Sequence, residues 1–268
     1  MAHPQIAAFA RLADGSTQPI RKLEGQKTLL GRTMHAIAYD EVHDEFVVPQ
    51  QFGQAILTFR GGASGTEAPI RVIQGSNTRL VAPDRLAVDP VNNEIFVPEG
   101  NVVLVYPRDG NGNVAPIRTI EGPDTQLGAD AVAVDALNNL LVVGGGGSDG
   151  PRLLIFNRTD RGNVKPKAVI GGPKSGLRRL GGPFTLYPPK GWIIVSDRGE
   201  GLVISDIAYV GVWSIHDNGD VPPRWKIGGP NGILQMPRGV ALDPKNKNLI
   251  VSDKRLNAVM TFYFPEIF

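Results

Sequence analysis

Short apolar runs alternate with polar turns along the whole chain, and the pattern recurs at a nearly fixed spacing. The motif "APIRTIEG", which begins at Ala115, has a relative in every repeat. Its proline recurs at steps of 50, 47, 50 and 57 residues, at Pro19, Pro69, Pro116, Pro166 and Pro223. A period near 50 residues filled by short β-branched runs indicates a repeat protein built from strands.

Each repeat contains four predicted strands, named a to d here. Strand a reads "HAIAYD", "DRLAVD", "DAVAVD", "PFTLYP" and "RGVALD", and a turn rich in Asn follows it, as in "DPVNNE", "DALNNL" and "DPKNKN". Strand b includes "EFVVP" and "WIIVSD", strand c includes "AILTF" and "VVLVY", and strand d is the recurring Pro-Ile-Arg motif. Asp and Asn favour such turns because their side chains hydrogen-bond the adjacent backbone.

Four antiparallel strands per repeat predict an all-β fold, a β-propeller whose blades have four strands each. Five a strands and five b strands predict five blades in a single domain, 1–268. A six-bladed alternative would need a further a–b pair. We expect the N-terminal d strand "QPIRKLEG" to pair with the C-terminal c strand "AVMTFYF" and to close the ring.

The N-terminal run "IAAFARL" is a surplus c-like strand in this arrangement. The C-terminal strand could displace it, or it could pair with a second molecule and produce a homodimer. The Pro-Ile-Arg motif is expected at the outer edge of each blade, where proline and arginine discourage pairing between molecules. We therefore assign these arginines a structural role.

Composition narrows the classes of function. Hydrophobic residues make up 41% of the chain, which is enough for a large core. The 28 Lys and Arg residues nearly balance the 26 Asp and Glu residues, so the net charge is only +2. The basic residues are scattered, so no nucleic-acid partner is expected. The absence of cysteine excludes disulfides, thiolate metal sites and a catalytic thiol. No signal peptide and no membrane span is predicted, so we expect a soluble chain and leave the compartment open.

The stretch from Pro237 to Phe262 resembles an NHL repeat. It shares with that family's unit the residues Pro237, Gly239, Val240, Asp243, Asn248, Asp253 and Asn257. The resemblance extends loosely to SMP-30-like lactonases, strictosidine-synthase-like proteins and virginiamycin-B-lyase-like propellers. It implies a structural repeat rather than a particular activity.

The d-to-a and b-to-c connections of a propeller meet on one face, around the mouth of the central channel, where binding groups are expected. We assign His35 and Arg238 a catalytic role toward a substrate's charge. Asp84, Asp130 and Glu99 are candidate oxygen ligands for Ca²⁺ or another divalent cation. The further ligand-binding candidates are Arg85, Glu99, Asn101, Phe184, Asp197, Arg198 and Asp253.

Structural alternatives exist for several of these residues. Asp84 with Arg85, or Asp130 with Arg238, could form ion pairs that hold neighbouring blades. Asp197 and Asp253 match the NHL aspartate that accepts backbone hydrogen bonds in its own loop. The stretch "GGGGSDG" from Gly144 is expected to be a flexible b-to-c loop, because no helix follows it to bind phosphate.

Two main functions remain after these exclusions, besides a purely structural role in an assembly. The first is a binding module that holds a small molecule, peptide or protein at the channel mouth. The alternative is a divalent-metal-dependent hydrolase, lactonase or lyase of the SMP-30-like type. The break in repeat symmetry at Phe184 and at the insertion from Asp197 to Glu200 favours the second, whereas the absence of a sharp catalytic cluster favours the first.

Overall fold

The computed structural model describes residues 4–147, 150–180, 182–199 and 208–268. These residues form an all-β fold with five antiparallel blades in a propeller arrangement, as the repeat predicted. None of its helices is long and apolar enough to cross a membrane, within the ranges described.

Four blades have the expected four strands in the order a to d. The first blade contains β3 (Ala38–Asp40), β4 (Glu45–Gln50), β5 (Ala55–Arg60) and β6 (Arg71–Gln74), and the second β7 (Ala87–Asp89), β8 (Glu94–Pro98), β9 (Val102–Pro107) and β10 (Arg118–Glu121). The third contains β11 (Ala129–Asp135), β12 (Leu140–Gly147), β13 (Gly150–Asn157) and β14 (Ala168–Gly171), and the fourth β15 (Thr185–Tyr187), β16 (Trp192–Asp197), β17 (Tyr209–Ser214) and β18 (Trp225–Gly228).

The terminal strands depart from the expected closure. The fifth blade has three strands, β19 (Pro237–Asp243), β20 (Asn248–Asp253) and β21 (Ala258–Tyr263). The N-terminal strands β1 (Gln5–Ala8) and β2 (Arg21–Glu24) form a two-stranded sheet of their own. Among the described strand pairs, therefore, the N-terminal d strand pairs with the surplus strand β1 and not with β21.

The described residues divide into two compact units. The first comprises residues 1–95 and 105–117, and the second comprises residues 96–104 and 118–268. In the first unit, β2 packs its Leu23 into a core that includes Phe46 and Leu57. In the second, Trp213 and Phe184 belong to one apolar cluster, and Leu249 and Val251 belong to another.

Short turns join strands a and b, and their aspartates act as predicted. Asp89, for example, accepts hydrogen bonds from the backbone N–H groups of Val91 and Asn92 at 3.0 and 2.9 Å. Six single-turn 3₁₀ helices complete the described elements: Gln26–Thr28, Ser76–Thr78, Pro123–Thr125, Pro188–Lys190, Pro244–Asn246 and Pro265–Ile267.

The arginines of the Pro-Ile-Arg motif make structural contacts in the first two blades and at β2. Arg21 donates to the carbonyl of Gly61 at 2.9 Å, and Arg118 donates to the carbonyl of Arg158 at 2.9 Å. Arg71 forms an ion pair with Glu45, a buried carboxylate at the start of β4. These contacts agree with the structural role expected for the motif.

The glycine run from Gly144 is strand rather than loop, which corrects the sequence interpretation. Gly144 to Gly147 extend β12, and Gly147 pairs with Gly150 at the start of β13. A Cβ on Gly145 would lie 1.8 Å from the carbonyl oxygen of Gly128, so only glycine lets these two backbones approach. Close backbone packing thus explains the glycine at position 145.

Candidate functional site

His35 and Asp84 lie at the starts of the a segments of the first and second blades, and both belong to the first compact unit. Nδ1 of His35 is 2.5 Å from Oδ1 of Asp84. The side chain of His35 is 40% exposed and that of Asp84 is 25% exposed. With Nδ1 donating to the carboxylate, Nε2 is the nitrogen of the neutral imidazole that is left to accept a hydrogen bond.

Arg85 adds a positive charge to this pair. Its Nη2 lies 3.8 Å from Oδ2 of Asp84, and its side chain is buried. The carboxylate of Asp84 is thus held between an imidazole and a guanidinium. The two carboxylate oxygens of Asp84 thus lie near nitrogen donors. The contact with Arg85 agrees with the alternative in which Asp84 and Arg85 form an ion pair.

The b-to-c turn of the first blade is fixed against both a segments. The Gln50 side chain accepts a hydrogen bond from the N–H of Gly53 at 2.6 Å. It also lies close to Gly31, where an added Cβ would be 3.1 Å from the amide carbon of Gln50. Nε2 of Gln54 donates to the carbonyl of Val81 at 3.1 Å. These contacts hold the turn beside the segments that lead to His35 and Asp84.

Large apolar side chains are exposed on these connections, among them Phe52 and Val81. Phe52 lies at the tip of the b-to-c turn, and Val81 lies three residues before Asp84. Exposed apolar groups on connections that also carry a partly exposed polar group are typical of binding surfaces. We call the group His35, Phe52, Val81 and Asp84 the mouth surface of the first unit.

The other proposed metal ligands, Asp130 and Glu99, belong to the second compact unit. Asp130 is exposed on β11, at a bulge between Ala129 and Ala131, and Glu99 lies in the tight turn between β8 and β9, followed by the exposed Asn101. Within the described ranges, no group of three or more His, Asp or Glu side chains could hold a metal ion. The two oxygens of Asp84 lie close to nitrogens of His35 and Arg85.

Asp197 ends β16 and is fully buried. Its Oδ2 accepts from the N–H groups of Arg178 and Arg179 at 2.8 and 3.0 Å, and its Oδ1 accepts from that of Gly199 at 2.8 Å. Burial raises the pKa of this carboxyl above its ordinary value, while the backbone donors oppose that shift in part. The next residue, Arg198, adds a hydrogen bond to the same segment, because its backbone N–H donates to the carbonyl of Arg179.

The raised pKa of Asp197 predicts a pH-dependent stability. The folded state binds the proton of this carboxyl more tightly than the unfolded state, in which the pKa has its ordinary value of 3.8. Protonation therefore increases the free energy of unfolding as the pH falls from the raised pKa toward 3.8. Above the raised pKa this stabilisation is lost. We therefore expect the unfolding free energy of the wild type, relative to Asp197→Asn, to increase as the pH is lowered through this window.

Urea unfolding of both proteins at a series of pH values measures this difference. The exposed Asp109→Asn is the matched control for changes in the unfolded chain. A difference between wild type and Asp197→Asn that is constant across the acidic range would contradict the assignment.

Asp253 occupies the matching position at the end of β20. Its Oδ2 accepts from the N–H groups of Gln235 and Met236, each at 2.8 Å. Its Oδ1 accepts from those of Arg255 and Leu256 at 2.9 and 3.1 Å. These contacts give Asp253 the loop-stabilising role that was the alternative to ligand binding.

The remaining candidates lie in other settings. The ring of Phe184 is buried in the apolar cluster of the second unit, so its described contacts are those of a packing residue. Arg238 lies on β19 at a bulge between Pro237 and Gly239. Glu200, part of the insertion singled out in the sequence, lies outside the described residues.

The sequence analysis missed two features of the first unit. Phe52 and Val81 were not singled out, although both are apolar residues in connections expected at the channel mouth. Glu45 was also missed; on the turn side of the blade it accepts from both Arg71 and Arg108, the latter at 2.6 Å. A search for apolar residues in the mouth connections would have found the first two.

Comparisons with known proteins support the fold alone. No protein-family model matches the chain, and no curated protein matches it. A chain in the crystal structure of a mitotic checkpoint complex is similar, with a TM-score of 0.59 and 15% identity over 91% of this chain. A chain of hydrazine synthase from Kuenenia stuttgartiensis is similar with a TM-score of 0.58 and 14% identity over 82% of this chain.

The chain spans 64% of the first of these structures and 55% of the second. At such low identity the likeness concerns the propeller-like architecture and carries no activity. The resemblance to NHL and SMP-30-like proteins stays an expectation from the sequence.

Proposed function

We propose that this chain is a binding propeller whose ligand docks on the mouth surface of the first unit. The observation that carries the proposal is the hydrogen bond between His35 and Asp84, which fixes a partly exposed imidazole at the junction of two blade segments. A side chain held by a second residue is pre-organised and loses little freedom when a ligand binds.

The chemistry of this surface favours a ligand with a hydrogen-bonding group next to an apolar group. Nε2 of the partly exposed His35 supplies the polar contact, while Phe52 and Val81 supply apolar contact area. A small molecule or a short peptide fits this description. The propeller fold, a frequent scaffold for protein binding, is compatible with either.

A fragment screen that follows thermal unfolding tests the proposal. We expect at least one fragment class to stabilise the wild type and to bind about tenfold more weakly to His35→Ala and to Phe52→Ala, which corresponds to about 1.4 kcal/mol. Val91→Ala is the matched control, since Val91 is an exposed apolar residue on an a-to-b turn. Fragments that bind all three variants equally would contradict this location.

A hydrolase or lyase is the second candidate. The same hydrogen bond favours it, because a carboxylate that holds Nδ1 leaves Nε2 as a proton acceptor, as in hydrolytic triads. The metal-dependent form of this hypothesis assigns Asp84, Asp130 and Glu99 to a divalent cation.

Metal content and activity together test the second candidate. Mass spectrometry of the purified protein and of the Asp84→Ala/Asp130→Ala variant would detect a bound ion, and a panel of lactones and esters would detect turnover. One ion per chain, lost in the variant together with turnover, would favour the enzyme over the binding module. Turnover that depends on His35 without a metal would instead favour acid–base chemistry.

A further inference from the structure

The fifth blade lacks a d strand in the part of the chain that is described. Its sheet runs β19, β20, β21, and β21 pairs only with β20. In the other four blades a d strand, namely β6, β10, β14 or β18, pairs with strand c. The outer edge of β21, called the open edge here, is therefore where a fourth strand is expected.

The side chains of β21 also show an uncovered face. Val259 is 72% exposed and Tyr263 is 71% exposed, whereas the equivalent strand β17 is buried along its full length. Met260 and Phe262, on the opposite face of β21, pack against the apolar cluster of their unit. One face of the strand is thus in the core, and the other presents apolar groups to solvent.

The strand β2 has the properties of a d strand. It follows the Pro-Ile-Arg motif, and Leu23 bridges to Gly65 in the manner of the d-strand residues Ile73, Ile120 and Ile170, which bridge to Gly112, Gly162 and Gly219. Its partner is β1, in the register Ile6 with Leu23 and Ala8 with Arg21.

The strands β1 and β21 match the same position beside β2. In the first blade, strand c reads "AILTF" and pairs Ile56 with Ile73 and Thr58 with Arg71. β1 with its next residue reads "QIAAF", and β21 reads "AVMTF". The two alanines of β1 correspond to Met260 and Thr261, which give larger cross-strand contacts. β21 is thus the better partner for β2 by strand propensity.

We propose that β21 of one molecule pairs with β2 of a second copy of this chain and displaces β1 there. By the register of the first blade, Val259 pairs with Leu23 and Thr261 pairs with Arg21. Each copy carries one β2 and one β21, so two copies complete each other's blades reciprocally in a two-fold dimer. The proposal rests on the fold and is independent of the proposed ligand site.

Engineered disulfides test this pairing directly, because the chain has no cysteine. Antiparallel partners have Cα atoms about 4.5–5.5 Å apart, which a disulfide can bridge. Full-length Arg21→Cys and Thr261→Cys chains with different tags are co-expressed and oxidised. We expect a disulfide-linked dimer that contains one chain of each kind, and a wild type with twice the mass of 28.8 kDa by light scattering.

Arg21→Cys with Tyr263→Cys is the out-of-register control, because Tyr263 and Thr261 are both exposed and lie on the same face of β21. We expect at least tenfold less mixed dimer from it. A double variant, Arg21→Cys/Thr261→Cys, that links within a single chain would overturn the second-copy proposal. Absence of the mixed dimer, or a wild type that stays monomeric at every concentration, would overturn it as well.

Discussion

Replacing Asp253 by alanine is expected to lower the free energy of unfolding by about 4 kcal/mol. Four backbone N–H groups donate to the two oxygens of this buried carboxylate, two of them from Gln235 and Met236 and two from the loop after β20. Alanine would leave these donors without acceptors, and an unsatisfied buried donor costs about 1–3 kcal/mol. The N–H groups of Arg255 and Leu256 lie in an exposed loop, where water hydrates them in part. The expected loss is therefore smaller than the summed cost of four fully buried donors.

Urea unfolding followed by circular dichroism and fluorescence measures this loss and tests whether the transition is two-state. Asp109→Ala removes an exposed carboxylate and is expected to change the stability by less than about 0.5 kcal/mol. If Asp253→Ala lost less than about 1 kcal/mol, the loop contacts of Asp253 could not be its main role.

The Gly145→Ala variant is expected to lose about 3 kcal/mol of unfolding free energy. The new Cβ would lie 1.8 Å from the carbonyl oxygen of Gly128, which is backbone and cannot rotate away. The strands β11 and β12 would have to separate near the pair Ala129 and Gly145, and ladder hydrogen bonds would be lost.

The neighbouring Gly146→Ala provides the matched control. A Cβ on Gly146 would meet no atom within 4 Å, so this variant should differ from the wild type by less than about 0.5 kcal/mol. Equal stabilities of the two variants would show that the backbones of Gly128 and Gly145 do not approach closely, and that the glycine run is a loop after all.

The architecture was accessible from the sequence because its signals are local and repeated. The four runs per repeat predicted antiparallel blades, and the aspartates after strand a predicted turns such as that of Asp89. The five a–b pairs predicted five blades. Each of these features depends on residues close together in the chain, so each repeat tests the same prediction again.

The pairing of the terminal strands was not accessible in the same way. The patterns of β1 and β21 both satisfy the register of β2, and the choice between two similar partners depends on tertiary contacts rather than on local preference. The glycine run was assigned to a loop for a related reason. The position of Gly128, which is distant in sequence from Gly145, explains why the strand residue at position 145 lacks a side chain.

The candidate site was predicted in part. His35, Asp84 and Arg85 were chosen because equivalent positions recur at the starts of strand a, and the structure brings these three together. The pairing of Asp84 with Arg85 was among the sequence-based alternatives, whereas its contact with His35 could not be predicted, because it joins residues from two blade segments. Phe52 and Val81 were missed because the search considered charged and polar residues and passed over apolar ones.

The most direct test of the binding proposal is histidine NMR with a fragment from the screen. The chain has 4 histidines, and His35→Ala identifies the ring signals of His35 by their loss. The account predicts that the fragment shifts the ring signals of His35, while those of His43 and His216, which lie on turns between strands, stay unchanged. Shifts at His43 or His216 with none at His35 would contradict it.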